Sequence, residues 1–158
     1  MRPIRRRVSS PVTLYRLIYR SRNNIVAARP GADIGQEIHA ILEASRRRNA
    51  ANQVTGALLF TGSGFAQVLE GPRDVVEETF ERIGLDPRHA DVVVLSFTPT
   101  EQRSFPQWSM AFCGQVGDPA MGAVDSGSSQ HGVIAGNGSD VLRLLERVIQ
   151  REDDWVTA

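Results

Sequence analysis

Three polar side chains occupy positions where the sequence pattern predicts apolar core residues. Tyr19 continues the apolar face of the first predicted strand, and Gln67 lies between two apolar residues on one face of a later strand. Asn49 projects onto the sheet-facing stripe of the first long predicted helix. An unpaired buried amide or hydroxyl costs roughly 1–3 kcal/mol, so these groups must bond one another or a ligand. Because the sequence offers few evident protein partners, the pattern predicts a planar heterocycle with alternating donors and acceptors between the helices and the sheet.

Each of these residues also has an ordinary structural interpretation. Asparagine is common near helix ends, a glutamine can bond backbone groups at a sheet edge, and a core tyrosine can reach a partner at the periphery. Trp108 and Met110 share one face of the last predicted strand, and such pairs usually serve packing. The case for a ligand therefore depends on the three polar groups converging.

The elements that must position these residues follow from the hydrophobic periodicity. Strands are predicted at 13–19, 54–60, 65–69, 92–97 and 108–112. One helix begins at Asp33, which has the capping-box spacing to Gln36, and runs to about Asn49; a second opens at Pro72 and ends before Asp86. The order β-α-β-β-α-β-β predicts an α+β, ferredoxin-like sandwich with two helices on one face of a mixed sheet.

The chain divides into five predicted segments. Residues 1–12 form a basic tail, 13–113 the folded domain, 114–138 a flexible linker, 139–152 an amphipathic C-terminal helix and 153–158 a short tail. The last helix must bury its apolar stripe on the free face of the sheet or on a second subunit. A homo-oligomer is therefore predicted, through that helix or through the first-strand face of Leu14, Arg16, Ile18 and Arg20.

Composition excludes several classes of protein. The 158 residues, 41% of them apolar, suffice for one core, and a formal net charge of zero argues against nucleic-acid binding. The arginines near the N-terminus lack aromatic interleaving, as in a solvated tail. The single cysteine fits a reducing compartment, and no segment resembles a membrane span or a secretory signal. A cytoplasmic protein without a metal site is expected.

Five ordered motifs resemble those of one family, the BLUF (blue light using FAD) photoreceptors, between about Leu14 and Phe112. The motifs are Leu17–Ser21, Ser45–Asn49 followed by Val54–Phe60, Phe65–Gly71, Asp86–His89 and Phe105–Met110. Their order and spacing make the resemblance specific. It implies a non-covalently bound FAD in residues 13–113 and a photoreceptor of the short stand-alone type.

The resemblance also implies roles for individual residues. Tyr19 would be the light-driven electron and proton donor, Gln67 would rearrange its hydrogen bonds to the flavin, and Asn49 would hold the pyrimidine edge. Trp108 and Met110 would move or relay strain. Further positions that match cofactor-lining residues of the family are Ile41, Ser45, Arg48, Phe65, Ile83, Arg88 and His89. Because no catalytic segment is recognised beside the domain, we expect that the protein is not an enzyme. Our hypothesis is that its signal passes through the last strand and the C-terminal helix to a partner protein.

Two other functions fit the predicted fold. A non-photochemical binding or scaffold module would use the tyrosine and the amides structurally and would be colourless when purified. A small hydrolase of the acylphosphatase kind would need a phosphate cradle after the first strand. The sequence Ser21-Arg22-Asn23-Asn24-Ile25 is a poor cradle, so this alternative is the weakest.

Overall fold

The structure, a computed structural model, describes residues 12–113 and 136–156, with side chains of the last helix described through 149. The chain forms β1 (Leu14–Asn23), α1 (Ile25–Ala28), α2 (Ile34–Ala51), β2 (Thr55–Phe60), β3 (Gly64–Pro72), α3 (Arg73–Gly84), β4 (His89–Thr100), β5 (Ala111–Cys113) and α4 (Gly138–Val156). The predicted linker at 114–138 and the predicted tail at 1–12 lie mostly outside the described residues, whereas α4 continues past the predicted end at 152 to Val156, into the predicted tail at 153–158.

The five strands form one mixed sheet in the order β4-β1-β3-β2-β5. β1 runs antiparallel to β3 and β4, and β2 runs antiparallel to β3, whereas β5 pairs with β2 in parallel. The order of the first four strands is that of a ferredoxin-like sandwich. The predicted α+β fold is therefore confirmed.

Helix α2 begins where the capping pattern predicts. The Asp33 side chain accepts a hydrogen bond of 2.9 Å from the backbone N–H of Gln36, which pairs one of the free donors at the helix start. Ile38, Ile41 and Leu42 then recur at helical spacing and are buried against the sheet. This stripe sets the rotation of the helix and, with it, the direction in which Asn49 points.

The alternation of β3 separates two apolar clusters on opposite faces of the sheet. Phe65 and Leu69 belong to the cluster beneath α2 and α3, whereas Ala66 and Val68 belong to the cluster beneath α4. Every residue from Gly64 to Gly71 is buried, because β3 is a central strand covered on both faces. Helix α4 thus covers the face opposite α2 and α3, which was one of its two predicted positions.

Two sequence predictions about β4 and β5 are wrong in detail. The segment predicted as a strand at 108–112 forms bends through Met110, and β5 comprises only Ala111–Cys113. β4 is longer than predicted and is an edge strand, with Val93 and Val94 partly exposed. Its continuous apolar run therefore does not reflect burial on both faces. Long-range contacts of the 104–110 segment, described below, replace the strand pairing that the alternation suggested.

The predicted docking face on β1 is also corrected. Ile18 is buried in the cluster beneath α4, and Arg16 pairs with a buried carboxylate on β3. Of the proposed first-strand surface, these two positions are already occupied by contacts within the chain.

Candidate functional site: a polar cavity between two helices and the sheet

Tyr19 and Gln67 form the central polar pair of the site. The antiparallel register of β1 and β3 places them directly opposite each other, on the face that packs against α2 and α3. Cross-strand neighbours on one face are within side-chain reach, and the Tyr19 hydroxyl donates a hydrogen bond to Gln67 Oε1. Tyr19 is 0% exposed and Gln67 3%, so this bond lies in the core.

The other end of the Gln67 amide reaches the segment that precedes β5. Gln67 Nε2 donates to Met110 Sδ at 3.3 Å, and Asn49 Nδ2 donates to the Ser109 carbonyl oxygen at 2.9 Å. Arg46 Nε donates to the Met110 carbonyl oxygen at 3.0 Å. Side chains from β3 and α2 therefore fix residues 109 and 110 in place.

The expectation that the sequence supplies too few partners for the buried polar groups is wrong. Tyr19 and Gln67 pair with each other, and Asn49 pairs with a backbone carbonyl. The burial of these residues is as predicted, but their hydrogen bonds do not by themselves require a ligand. The missing partners came from backbone and sulfur atoms some 40 to 60 positions away in sequence, which local patterns do not reveal.

A cavity of about 330 Å³ opens beside this pair, between α2, α3 and the sheet. Its volume lies at the lower end of the range for small-molecule sites. Eight of the predicted cofactor-contacting residues line it: Ile41, Ser45, Arg48, Asn49, Gln67, Ile83, Arg88 and His89. The structure therefore brings together residues from α2, β3, α3, the turn before β4 and the start of β4, as the family resemblance implied.

Tyr19 and Phe65 occupy the layer that supports the lining. Tyr19 bonds Gln67, and the ring of Phe65 contacts that of His89 with centroids 4.4 Å apart. Both residues are fully buried. Their predicted position next to the site is thus found, although neither is part of the cavity lining.

Trp108 and Met110 do not share a face, which corrects the sequence prediction. Trp108 is 39% exposed, whereas Met110 is buried in the core cluster beneath α2 and α3. The Trp108 carbonyl oxygen accepts a hydrogen bond of 3.0 Å from the Gly56 backbone N–H. Because the chain bends here instead of forming a strand, the period of two does not apply, and Met110 alone of the two contacts Gln67.

The electrostatics of the site favour neutral Tyr19 and His89. Burial, with a smaller contribution from the Asp86 carboxylate, raises the pKa of Tyr19 well above its ordinary value. Burial also lowers the pKa of His89 to about 4, and the nearby Arg88 adds to this effect against the opposing charge of Asp86. Near neutral pH the phenol is therefore protonated and the imidazole is uncharged.

Several residues of the site were missed by sequence reasoning. Ser21 Oγ lies 2.8 Å from His89 Nδ1, and Arg88 is held by both carboxylate oxygens of Asp86 and by Glu37 at 3.2 Å. Burial would raise the pKa of Asp86, but the hydrogen bonds and charge of Arg88 outweigh it and lower the pKa. Asp86 was noted as a helix terminator and as part of the Asp86–His89 motif, but it was not among the predicted site residues. Its spacing of two residues from Arg88, within a turn, was the available signal.

Three lining residues that were not predicted contribute positive charge or apolar surface to the cavity. Arg29 and Arg82 add positive charge, and Leu58 adds an apolar surface from the sheet. The arginines carry no sequence pattern that separates them from ordinary surface residues. Within residues 12–113 and 136–156, the structure shows no cluster of three or more metal-ligating side chains.

Comparison with known proteins identifies the family. The model of the BLUF family, described as sensors of blue light using FAD, matches residues 14–111. The chain belongs to the BLUF family. Subunit beta of the photoactivated adenylate cyclase of Euglena longa is 39% identical over 75 residues, which are 47% of this chain and 9% of that protein. The blue light- and temperature-regulated antirepressor BluF of Escherichia coli K12 is also 39% identical over 75 residues, 48% of this chain and 19% of that protein.

Solved structures agree with the family assignment. The dark-state structure of the BLUF protein BlrB is 40% identical, with a TM-score of 0.58, and the match covers 63% of this chain and 71% of that one. The photo-activated state of BlsA is 27% identical, with a TM-score of 0.65, over 84% of this chain and 94% of that one. The chain spans a fifth or less of the curated relatives named above. In the part of the chain that the structure describes, no helix has the length and hydropathy of a membrane span.

Proposed function

We propose that the protein is a blue-light photoreceptor that binds FAD non-covalently in the cavity between α2 and α3. The observation that carries the proposal is the buried hydrogen bond from Tyr19 to Gln67, because Gln67 also lines the cavity. A phenol and an amide in this relation can hold and pass a proton next to a bound chromophore. The family description, sensors of blue light using FAD, supports FAD as that chromophore.

The chemistry of the cavity lining fits a flavin. Ile41 on α2 and Ile83 on α3 provide apolar walls from two helices, which suits a planar ring system between them. Asn49 and Gln67 offer amide groups that can both donate and accept hydrogen bonds, as a pyrimidine edge requires. The described lining residues include four arginines and one carboxylate, that of Asp86. Arg88 pairs with Asp86 and Glu37, Arg29 with Glu37 and Arg82 with Glu78. Because guanidinium groups bind phosphates well, these arginines are the candidates for contact with the phosphates of a dinucleotide.

Asn49 has a defined orientation for this role. Because its Nδ2 donates to the Ser109 carbonyl oxygen, its Oδ1 is the end of the amide that can accept from a ligand N–H. Ser45, Arg48, Arg88 and His89 would complete the binding site together with the supporting residues Tyr19 and Phe65. Their roles toward the cofactor are proposals that follow from their places in and behind the lining.

The residues can perform the proposed photochemistry as follows. A bound flavin excited by blue light supplies a strong electron acceptor. Tyr19 holds its proton in the dark, because its pKa is raised, and it releases that proton toward Gln67 Oε1 when its ring is oxidised. The Gln67 amide differs at its two ends, so a change of orientation or tautomer exchanges the donor and acceptor presented to the cavity. This exchange would alter the contact with Met110 directly, because the Met110 sulfur accepts a hydrogen bond from Gln67 Nε2.

The output of the domain is proposed to be sensory and not catalytic. One relative is an adenylate cyclase subunit and another is an antirepressor, so the shared domain is found with different outputs. We propose that this protein signals to a partner protein through residues 104–113 and α4. A homo-oligomer and a cytoplasmic location stay predictions, to be tested by light scattering and by cell fractionation.

The absorption spectrum of the purified protein before and after blue light tests the proposed function. We expect an oxidised flavin spectrum that shifts slightly to the red on illumination and recovers in the dark. Tyr19→Phe and Gln67→Leu should each retain the yellow colour and abolish the shift. A normal shift in either variant would remove that residue from the mechanism.

One observation favours the alternative of a non-photochemical scaffold. Tyr19, Gln67 and Asn49 all have protein partners, as a purely structural role predicts. The two functions differ in a simple property, since a scaffold would be colourless and would not take up added FAD. Extraction and identification of the bound chromophore by chromatography would separate them and would also distinguish FAD from FMN.

A further inference from the structure

Strand β3 carries a fully buried carboxylate on the face that packs against α4. Glu70 is 0% exposed, and it accepts hydrogen bonds of 2.9 Å each from Arg16 Nε and from the backbone N–H groups of Ser104 and Phe105. A buried charge is tolerated only with a partner charge and further hydrogen bonds, and charge-assisted bonds are strong. We refer to Glu70, Arg16 and the backbone amides of Ser104 and Phe105 as the clamp.

The clamp fixes the start of the segment that leads to β5. Arg16 Nη2 donates to the Gln102 carbonyl oxygen at 3.2 Å and to Ser104 Oγ at 2.9 Å. Arg103 Nη1 donates to the Glu70 carbonyl oxygen at 2.9 Å. These bonds attach residues 102–105 to β1 and β3 independently of the cavity.

The clamp also determines the surface beneath α4. Phe105 is buried in the same apolar cluster as Ala111, Val141, Leu145 and Ile149. Helix α4 therefore packs against both ends of the 105–111 segment. Phe105 is held by Glu70, and Ala111 follows Met110 directly in the chain.

Strand β3 thus contacts this segment at both ends and from opposite faces. Glu70 holds its start on the α4 side, and Gln67, three positions earlier in β3, contacts Met110 on the cavity side. If Met110 shifts when Gln67 changes its hydrogen bonds, Ala111 moves relative to a fixed Phe105. Without the clamp, the segment could relax as a whole and the surface beneath α4 would stay unchanged.

We propose that Glu70 is a positioning residue that converts a change at Gln67 into a change in the packing of α4. This inference rests on the proposed photoreceptor function. Glu70 lies outside the cavity lining and its carboxylate is on the opposite face of the sheet from Tyr19. Its removal should therefore uncouple α4 from the chromophore without abolishing the spectral response.

The test measures two properties of the full-length protein in the dark and under blue light: the flavin absorption and the hydrogen exchange of residues 141–149. In the unchanged protein we expect a red shift together with a difference in exchange between the two states. In Glu70→Gln, which retains the size of the side chain but loses its charge, the shift should persist and the exchange difference should be lost. Glu77→Gln is the matched control, since it removes an exposed partner of Arg73 and should change neither property.

A second variant covers the possibility that Glu70→Gln does not fold. Arg16→Met leaves both backbone amides in place but removes the hydrogen bonds from Arg16 to Glu70, to the Gln102 carbonyl oxygen and to Ser104, so residues 102–105 are held less firmly. It should give the same loss. If a clamp variant exchanges faster in the dark but keeps the difference between dark and light, Glu70 has only a structural role. If the difference between dark and light is lost, Glu70 is a positioning residue.

The outcomes separate the two proposals. A red shift and an undiminished exchange difference in the clamp variants would overturn the role of Glu70 and leave the photoreceptor function intact. Absence of any exchange response at α4 in the unchanged protein, with a normal shift, would also overturn it. Absence of the shift in the unchanged protein would refute the photoreceptor function itself.

Discussion

The bond between Tyr19 and Gln67 makes a quantitative prediction about stability that is independent of light. Tyr19→Phe removes the donor and leaves Gln67 Oε1 buried without its partner. Gln67→Leu removes the acceptor and leaves the Tyr19 hydroxyl buried in the same way. The double variant removes both polar groups and replaces them by apolar ones, so neither is left unpaired.

The expected magnitudes follow from the cost of an unpaired buried polar group. Each single variant should lose roughly 1–3 kcal/mol of unfolding free energy. The double variant should lose less than the sum of the two, by about 1–3 kcal/mol, because the penalty for an orphaned partner disappears. The contact between Gln67 Nε2 and Met110 Sδ does not affect this difference, since it is lost in both the single Gln67 variant and the double variant.

Urea unfolding in the dark, followed by circular dichroism, measures this coupling energy. All four proteins should be compared at the same flavin saturation, because a bound ligand adds its own stabilisation. Losses that simply add in the double variant would show that the two side chains do not share a bond in solution. Tyr15→Phe is a suitable control, since that residue lies on the same face of β1 and should not couple to Gln67.

The structure supports three further predictions. His89 is uncharged in the folded protein, with a pKa of about 4 against 6.5 when unfolded, so its contribution to stability is complete above pH 6.5 and falls away toward pH 4. Between pH 6.5 and pH 4 the unfolding free energy should therefore fall by about 2–3 kcal/mol, and the His89→Asn variant should not show this fall. Urea unfolding of both proteins across that pH range measures the difference. Gly56→Ala should lower the unfolding free energy by roughly 3 kcal/mol or more, because the added Cβ would lie 1.9 Å from the Val68 carbonyl oxygen on β3. Gly84→Ala is the control, since the space around that position is open, and thermal unfolding should show little effect of it. Asn49→Ala should weaken flavin binding roughly tenfold in fluorescence titrations, whereas the exposed Asn52→Ala should not.

The parts of the fold that were predictable from sequence are those governed by local interactions. The start of α2 depends on a hydrogen bond between Asp33 and Gln36, which are three residues apart. The face of the sheet on which the Gln67 side chain lies depends on strand alternation. Both are visible in the printed sequence. The family resemblance then located half of the cavity lining, including Arg88 and His89, which periodicity alone would not have selected.

The segment from 104 to 110 was not predictable because its conformation depends on distant groups. The alternation at 108–112 predicted a strand, but the carbonyl oxygens of residues 108–110 accept hydrogen bonds from the Gly56 backbone N–H and from the side chains of Asn49 and Arg46. These bonds take up the backbone groups that a strand would pair with a neighbour. The partners of Asn49 and Gln67 escaped prediction for the same reason.

The alternation of a single strand accounts for how a cavity on one face could influence a helix on the other. Gln67 and Glu70 differ by an odd number of positions, so their side chains lie on opposite faces of β3. A separation of two or four would have placed both beside the cavity and left the start of the 104–110 segment without a buried partner. Because β3 is central and buried throughout, neither side chain can turn to solvent to escape its contact. In the proposed mechanism, a rearrangement at Gln67 acts on the segment that both residues contact.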